Sequence, residues 1–158
     1  MREKTTKKSV TLLGGGESLS QCSYDTDEIW TCNNLYRRVK RLTKLFICHT
    51  QVIKDGQPHY DWNEINMLSE GRFEIIATHT ITGLAARDYP LKTIMKKFGT
   101  EYFTDSVCYM IAYALYKGFR YLKLYGVDML EEDGYATERG GVEHWLGFAT
   151  GLGCTIEI

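Results

Sequence analysis

Apolar and polar positions fall into two alternating kinds of run. Short aliphatic or β-branched runs predict buried strands. They are Ser9 to Leu13 (SVTLL), Glu28 to Cys32 (EIWTC), Leu42 to Cys48 (LTKLFIC), Phe73 to Ala77 (FEIIA), Tyr121 to Tyr125 (YLKLY) and Cys154 to Ile158 (CTIEI). Other stretches carry a helical period. Val107, Met110, Ile111, Ala114 and Leu115 predict a helix over Asp105 to Lys117, capped by Asp105 or Thr104 and stopped at Gly118. Val142, Trp145, Leu146 and Ala149 predict another over Gly141 to Thr150. Asp61 to Leu68 and Leu91 to Phe98 are further helix candidates, while the rest of Asp55 to Met67 and Thr78 to Lys97 has no clear period. Strands alternating with helices predict an α/β architecture with helices on the faces of a sheet.

Composition narrows the function classes. The 158 residues contain only two Pro and no linker or repeat, so residues 1–158 read as one domain. A hydrophobic fraction of 44% and a charged fraction of 25% argue against disorder. A net charge of -1 offers no field to recruit nucleic acid or an anionic membrane. No run approaches the roughly 18 apolar residues that span a bilayer. The basic lead-in (Arg2, Lys4, Lys7, Lys8) lacks the apolar run of a signal peptide. These features predict a cytoplasmic protein with a small-molecule partner. The five Cys form no CxxC pair, and several sit in apolar runs, which fits buried thiols in a reducing compartment. With the four His also scattered, no metal site is expected. Tyr60, Trp62 and Tyr89 belong either to the core or to a surface for self-association into a homo-oligomer.

Chemistry concentrates in three places. The turn Gly14-Gly15-Gly16-Glu17-Ser18-Leu19 follows the first strand directly. Glycines let backbone amides approach a phosphate, and Ser18 adds a hydroxyl. The turn is neither a GxGxxG fingerprint nor a P-loop. Thr31-Cys32-Asn33-Asn34 ends the second strand, where Asn33 and Asn34 can read the edges of a base or ribose. Thr104-Asp105-Ser106 opens a helix and Tyr125-Gly126-Val127-Asp128 ends a strand. Helix starts suit anions, although Asp105 and Ser106 also serve simply as caps. All three lie at carboxyl ends of predicted strands or at the helix starts that follow, hence on one edge of the sheet. The fold expected is a Rossmann-like three-layer domain with a mostly parallel sheet of about six strands.

These residues resemble the bacterial sialyltransferases of glycosyltransferase family 42 and the related MptE-like, pterin pyrophosphokinase-like domains. Gly14 to Leu19 is similar to that family's GNGPSL-type turn, with Gly15 in place of Asn and Glu17 in place of Pro. Cys32-Asn33-Asn34-Leu35-Tyr36 matches its second-strand ending. Asp105-Ser106-Val107, Gly118-Phe119-Arg120 and Leu124 to Met129 match its later helix start and strand. The resemblance implies a nucleotide or nucleotide-sugar ligand of CMP type, held by Gly14, Gly16, Ser18, Asn33 and Ser106, with no further cofactor required.

Catalysis transfers less directly. The family places a His base shortly before its last helix and tyrosines near the departing phosphate. Here residues 133–141 hold Tyr135, Thr137, Glu138 and Arg139 but no His, and His144 follows beside Trp145. A glycosyl transfer needs a base for the acceptor hydroxyl and support for the leaving phosphate. Base candidates are His144, Glu138 and Asp128; phosphate candidates are Arg139, Tyr135 and Tyr125. Two functions fit: a small sialyltransferase-like enzyme, or a non-catalytic protein that sequesters or senses a nucleotide. A pyrophosphokinase-like reaction would instead gather Asp128, Glu131, Glu132 and Asp133 around magnesium.

Overall fold

The computed structural model describes residues 8–49, 53–54, 57–58, 60–128 and 135–158. The strands are β1 (Ser9–Leu13), β2 (Glu28–Cys32), β3 (Lys44–Ile47), β4 (Ile53–Lys54), β5 (Gln57–Pro58), β6 (Glu74–Ala77), β7 (Arg87–Asp88), β8 (Tyr121–Tyr125) and β9 (Thr155–Glu157). The helices are α1 (Trp62–Ser69), α2 (Leu91–Phe98), α3 (Ser106–Tyr116) and α4 (Tyr135–Gly151). Seven strands form one parallel sheet in the order β7-β6-β3-β2-β1-β8-β9, and β4 and β5 pair antiparallel beside it. The architecture is α/β and Rossmann-like.

Parallel strands covered on both faces read as continuous apolar runs, which is why β1, β2 and β3 stand out in the sequence. On one face Val10, Leu12, Trp30, Phe46, Ile76, Leu122 and Leu124 pack against α2, α3 and α4. Trp30 anchors this layer, with its ring 5.4 Å from Phe46 and 5.1 Å from Phe119. On the other face Leu45, Ile47, Ile75 and Ala77 meet Ile65 of α1, Tyr36 and Tyr60, while Leu13 and Ile29 meet Leu19. Residues 106–108 and 110–115 of α3 are all buried. A helix apolar on every side must be sandwiched, and α3 lies between the sheet and α4.

The structure differs from the pattern at two points. The sheet has seven strands because β7, two exposed residues with no apolar signature, pairs beside β6. The terminal helix starts at Tyr135, six residues before Gly141. Gly140-Gly141 reads as a break, but a Cβ on Gly141 would overlap Thr104 and Cys108, so the glycines let α4 press against α3. Of the two places open to Tyr60 and Tyr89 the structure selects the core: both are buried, and Tyr60 stacks on Trp62 at 4.9 Å. The helix over Asp105 to Lys117 is as expected: Asp105 caps α3, the Lys117 amide still bonds Tyr113 O, and Gly118 ends it at φ +84. Among the described residues no helix is long and apolar enough to cross a membrane.

Asp61 starts α1 as its side chain accepts a hydrogen bond from the Glu64 amide at 3.1 Å. Asp61→Ala is expected to cost about 1 kcal/mol, read as a lower urea midpoint at unchanged m-value.

Candidate functional site

The strand order fixes where a ligand can enter. From β1 the chain builds outward through β2, β3, β6 and β7, then returns by α3 to place β8 on the other side of β1. The loops after β1 and β8 therefore part at the carboxyl edge, the crevice of a topological switch point. Here they interlock before they part. The Gly14 amide donates to Tyr125 O and the Gly16 amide to Gly126 O, both at 2.8 Å. Asp128 accepts from the Ser18 amide at 2.9 Å and from the Ser18 hydroxyl, and the Gly126 amide donates to the same hydroxyl oxygen at 2.7 Å. A Cβ on Gly14 would overlap the Gly126 carbonyl, and one on Gly16 would overlap Asp128. Two of the three glycines are thus required by the neighbouring loop. Gly15 is different: its carbonyl accepts from Arg38 at 3.1 Å, and no acceptor for its amide occurs among the described residues.

The opposite wall is organised by Asn33, at φ +53 in the left-handed region. Asn tolerates that region better than most residues. Its amide nitrogen donates to Ser106 Oγ at 2.9 Å and its oxygen accepts from the Cys48 amide at 3.2 Å. One side chain thereby joins the ends of β2 and β3 to the start of α3. Asp105 caps α3, accepting from the Cys108 amide at 2.9 Å. Thr104 donates to the Glu138 carbonyl at 2.9 Å, tying the first turn of α4 to the same place.

Between these walls lies a cleft of about 430 Å³, lined by Gly14 to Gly16, Cys32, Leu35, His49, Thr104 to Val107, Gly126 to Asp128 and Glu138. His49 follows β3 directly, and its Nε2 is 3.4 Å from Ser106 Oγ. Burial raises the Asp105 carboxyl, opposed by hydrogen bonds from Cys108. Burial and then the Asp105 charge raise the Glu138 carboxyl, while His49 pulls it down. Beneath them burial pushes the Cys32 thiol far above its ordinary range and the Cys48 thiol up to about 12. These thiols are inert at neutral pH. The described lining carries carboxylates and one imidazole but no lysine or arginine.

The expected site residues divide accordingly. Gly14, Gly15, Gly16, Asp105, Ser106, Asp128 and Glu138 converge on the cleft. Asn33 supports it from behind Ser106, and Asn34 follows in the first turn of the 3₁₀ segment Asn33–Arg38. Ser18 is spent on Asp128 and Gly126. His144 lies outside the cleft lining, its Nε2 3.0 Å from Thr100 Oγ1 and its ring edge-on to Tyr102 and Phe148. Arg139 pairs with Glu143 at 2.7 Å and borders a smaller hollow. Tyr125 packs near Leu13 on the other sheet face. The side chain of Tyr135, and Glu131, Glu132 and Asp133, lie outside the described residues. Sequence reasoning missed His49 and reached Thr104 only as part of a helix start. The signal for His49 was its place immediately after β3.

No protein-family model matches the chain, and no curated protein matches it in sequence. Solved structures do match. The sialyltransferase CstII from Campylobacter jejuni, in complex with the substrate analogue CMP-3FNeuAc, superposes with a TM-score of 0.64 at 16% identity, covering 94% of this chain and 78% of that one. The chain has the fold of this sialyltransferase. CST-II in complex with trisaccharide acceptor and CMP gives a TM-score of 0.60 at 17% identity, over 94% of this chain and 79% of that one. The apo α-2,3-sialyltransferase from Campylobacter jejuni gives 0.59 at 16%, over 96% and 75%.

Proposed function

We propose that the cleft binds a nucleoside monophosphate of CMP type, or its sugar conjugate, and that the protein transfers the sugar as a sialyltransferase-like glycosyltransferase. One observation carries this reading. A cleft of about 430 Å³ opens at the switch point of a fold shared with sialyltransferases described in complex with CMP and with CMP-3FNeuAc. The local chemistry supports it. Ribose hydroxyls and a base amino group donate hydrogen bonds, and Asp105 and Glu138 offer acceptors to them. The Gly15 amide is left to face a phosphate oxygen, with the Arg38 guanidinium on the carbonyl of the same residue. A second reading, a protein that holds the nucleotide without reacting, is favoured by the absence of lysine and arginine from the described lining, since a departing phosphate needs cationic or hydroxyl support.

Calorimetry with CMP tests the binding, and release of CMP from CMP-sialic acid tests the transfer. Gly15→Ala gives the local control. Its Cβ would meet Leu35 only at ordinary contact distance, 3.4 Å, so the fold accepts it. The added methyl enters the cleft wall beside the proposed phosphate. CMP affinity is expected to fall about tenfold, equivalent to about 1.4 kcal/mol, with the thermal midpoint of the free protein unchanged. Wild-type affinity in Gly15→Ala would move the ligand elsewhere.

A further inference from the structure

The cleft lining includes a histidine, and it is not the one that the sequence brings forward. The titratable residues of its lining are Cys32, His49, Asp105, Asp128 and Glu138. Cys32 is a buried neutral thiol. Both carboxylate oxygens of Asp128 are held by Ser18. Asp105 is committed to the Cys108 amide as the cap of α3. That leaves His49 and Glu138, of which only His49 is an exposed side chain of a type able to exchange a proton near neutral pH.

The geometry points to His49 as the proton acceptor of this cleft, positioned by Ser106. This rests on the glycosyl-transfer reading above. The chain of support runs from Asn33 Nδ2, which donates to Ser106 Oγ at 2.9 Å, to His49 Nε2 at 3.4 Å from the same oxygen. The contact fits either role for Nε2; the assignment takes the tautomer that donates to Ser106, so that Nδ1 is the basic nitrogen. The polar and titratable groups that share the cleft lining with it are Asp105 and Ser106 at the start of α3, Glu138 from α4, Cys32 from β2 and Asp128 after β8, with Cys48 its neighbour in sequence. His49 acts electrostatically on both Asp105 and Glu138. No lysine or arginine shares the described lining with it, and the carboxylates Asp105 and Glu138 do.

The step balances. The donor is a nucleoside monophosphate joined through a phosphate oxygen to the anomeric carbon of a sugar, and the acceptor is a hydroxyl of a second sugar or of water. The acceptor O–H proton passes to His49 Nδ1. The freed oxygen pair forms the new bond to the anomeric carbon. The bond from that carbon to the phosphate oxygen breaks, its electron pair leaves with the nucleoside monophosphate, and the imidazolium returns its proton to solvent. His49 is a proton carrier throughout and no redox partner is needed.

The test uses CMP binding and CMP release side by side, with CMP-sialic acid as donor and either water or a galactose-terminated oligosaccharide as acceptor. His49→Gln is expected to lower CMP release by about 100-fold or more, far more than it lowers CMP binding, and to lose the acid limb of the pH–rate profile. His144→Gln, outside the cleft, is expected to keep both activities. Release by His49→Gln at the wild-type rate, or with an unchanged acid limb, overturns the assignment and leaves the nucleotide cleft standing. Wild-type protein that binds CMP yet releases none with either acceptor overturns it in the same way. Absence of CMP binding in the wild type overturns the underlying reading, and the assignment with it.

Discussion

Gly14→Ala is expected to destabilise the protein by about 3 kcal/mol or more, read as a fall in the urea midpoint, and to abolish CMP binding at concentrations that saturate the wild type. The cause is contact with rigid backbone. The new Cβ would overlap the Gly126 carbonyl oxygen, which no side-chain rotation can move. Separating the loops to make room breaks the bonds from the Gly14 amide to Tyr125 O and from the Gly16 amide to Gly126 O. Each is worth about 1 kcal/mol, and crowding a packed site adds about 1–3 kcal/mol. Against a typical stability of about 5–15 kcal/mol the variant still folds in part, so the loss of binding can be measured on folded protein. The comparison with Gly15→Ala makes the result specific. One residue further along, the same methyl meets only Leu35 and Arg38, and stability is expected to hold. Equal stability of the two variants would show that the β1 and β8 loops are not locked together as described.

That contrast shows what was legible in the sequence. Three glycines straight after a β-branched run mark a ligand-edge turn correctly, because the signal is local. What the glycines do is not local. Gly14 and Gly16 are shaped by Gly126 and Asp128, more than a hundred residues away in sequence: the Ser18–Asp128 separation alone is 110. The amides that a sequence reading offers to a phosphate are, at two of the three positions, already bonded to the neighbouring loop. Ser18 is likewise a partner of Asp128 and Gly126.

The strands and α3 were legible for the opposite reason. Val10, Leu12, Trp30 and Phe46 are buried in adjacent central strands, so burial itself writes an apolar run into each. The beginning of α4 was hidden because Gly140-Gly141 carries two messages, helix breaking in isolation and close approach to Thr104 and Cys108 in the fold. His49 was hidden because its place just after β3 is its one local mark. Its partner Ser106 lies 57 residues on, and the type preferences that single out Gly, Asn and Ser as turn residues pass over a histidine. Only the topology brings them together. His144, flanked by Trp145 and apolar residues, was conspicuous in sequence and lies with Thr100 and Tyr102, away from the cleft.

Asn33 carries the remaining large effect, and its substitutions separate two physical terms. Its side chain closes the seam between β2, β3 and α3 by bonding Ser106 Oγ and the Cys48 amide, and its backbone sits at φ +53. Asn33→Ala loses both bonds, about 1 kcal/mol each, and places a Cβ without compensating polarity in the left-handed region, a further cost of about 1 kcal/mol. The expected total is about 3 kcal/mol. Asn33→Gly relieves the backbone but not the bonds, and is expected to cost about 2 kcal/mol. Urea titration of the pair therefore measures the backbone term as the difference. Hydrogen exchange at the Cys48 amide measures the other term, with protection expected to fall in both variants by the same amount. Equal destabilisation by Ala and Gly would show that φ +53 costs nothing here, and retained protection of Cys48 would show that Asn33 does not hold the end of β3. Since the same side chain sets Ser106, and Ser106 sets His49, both variants are also expected to lower CMP release more than CMP binding. Asn33 thus acts on the reaction through position, at one remove from the ligand.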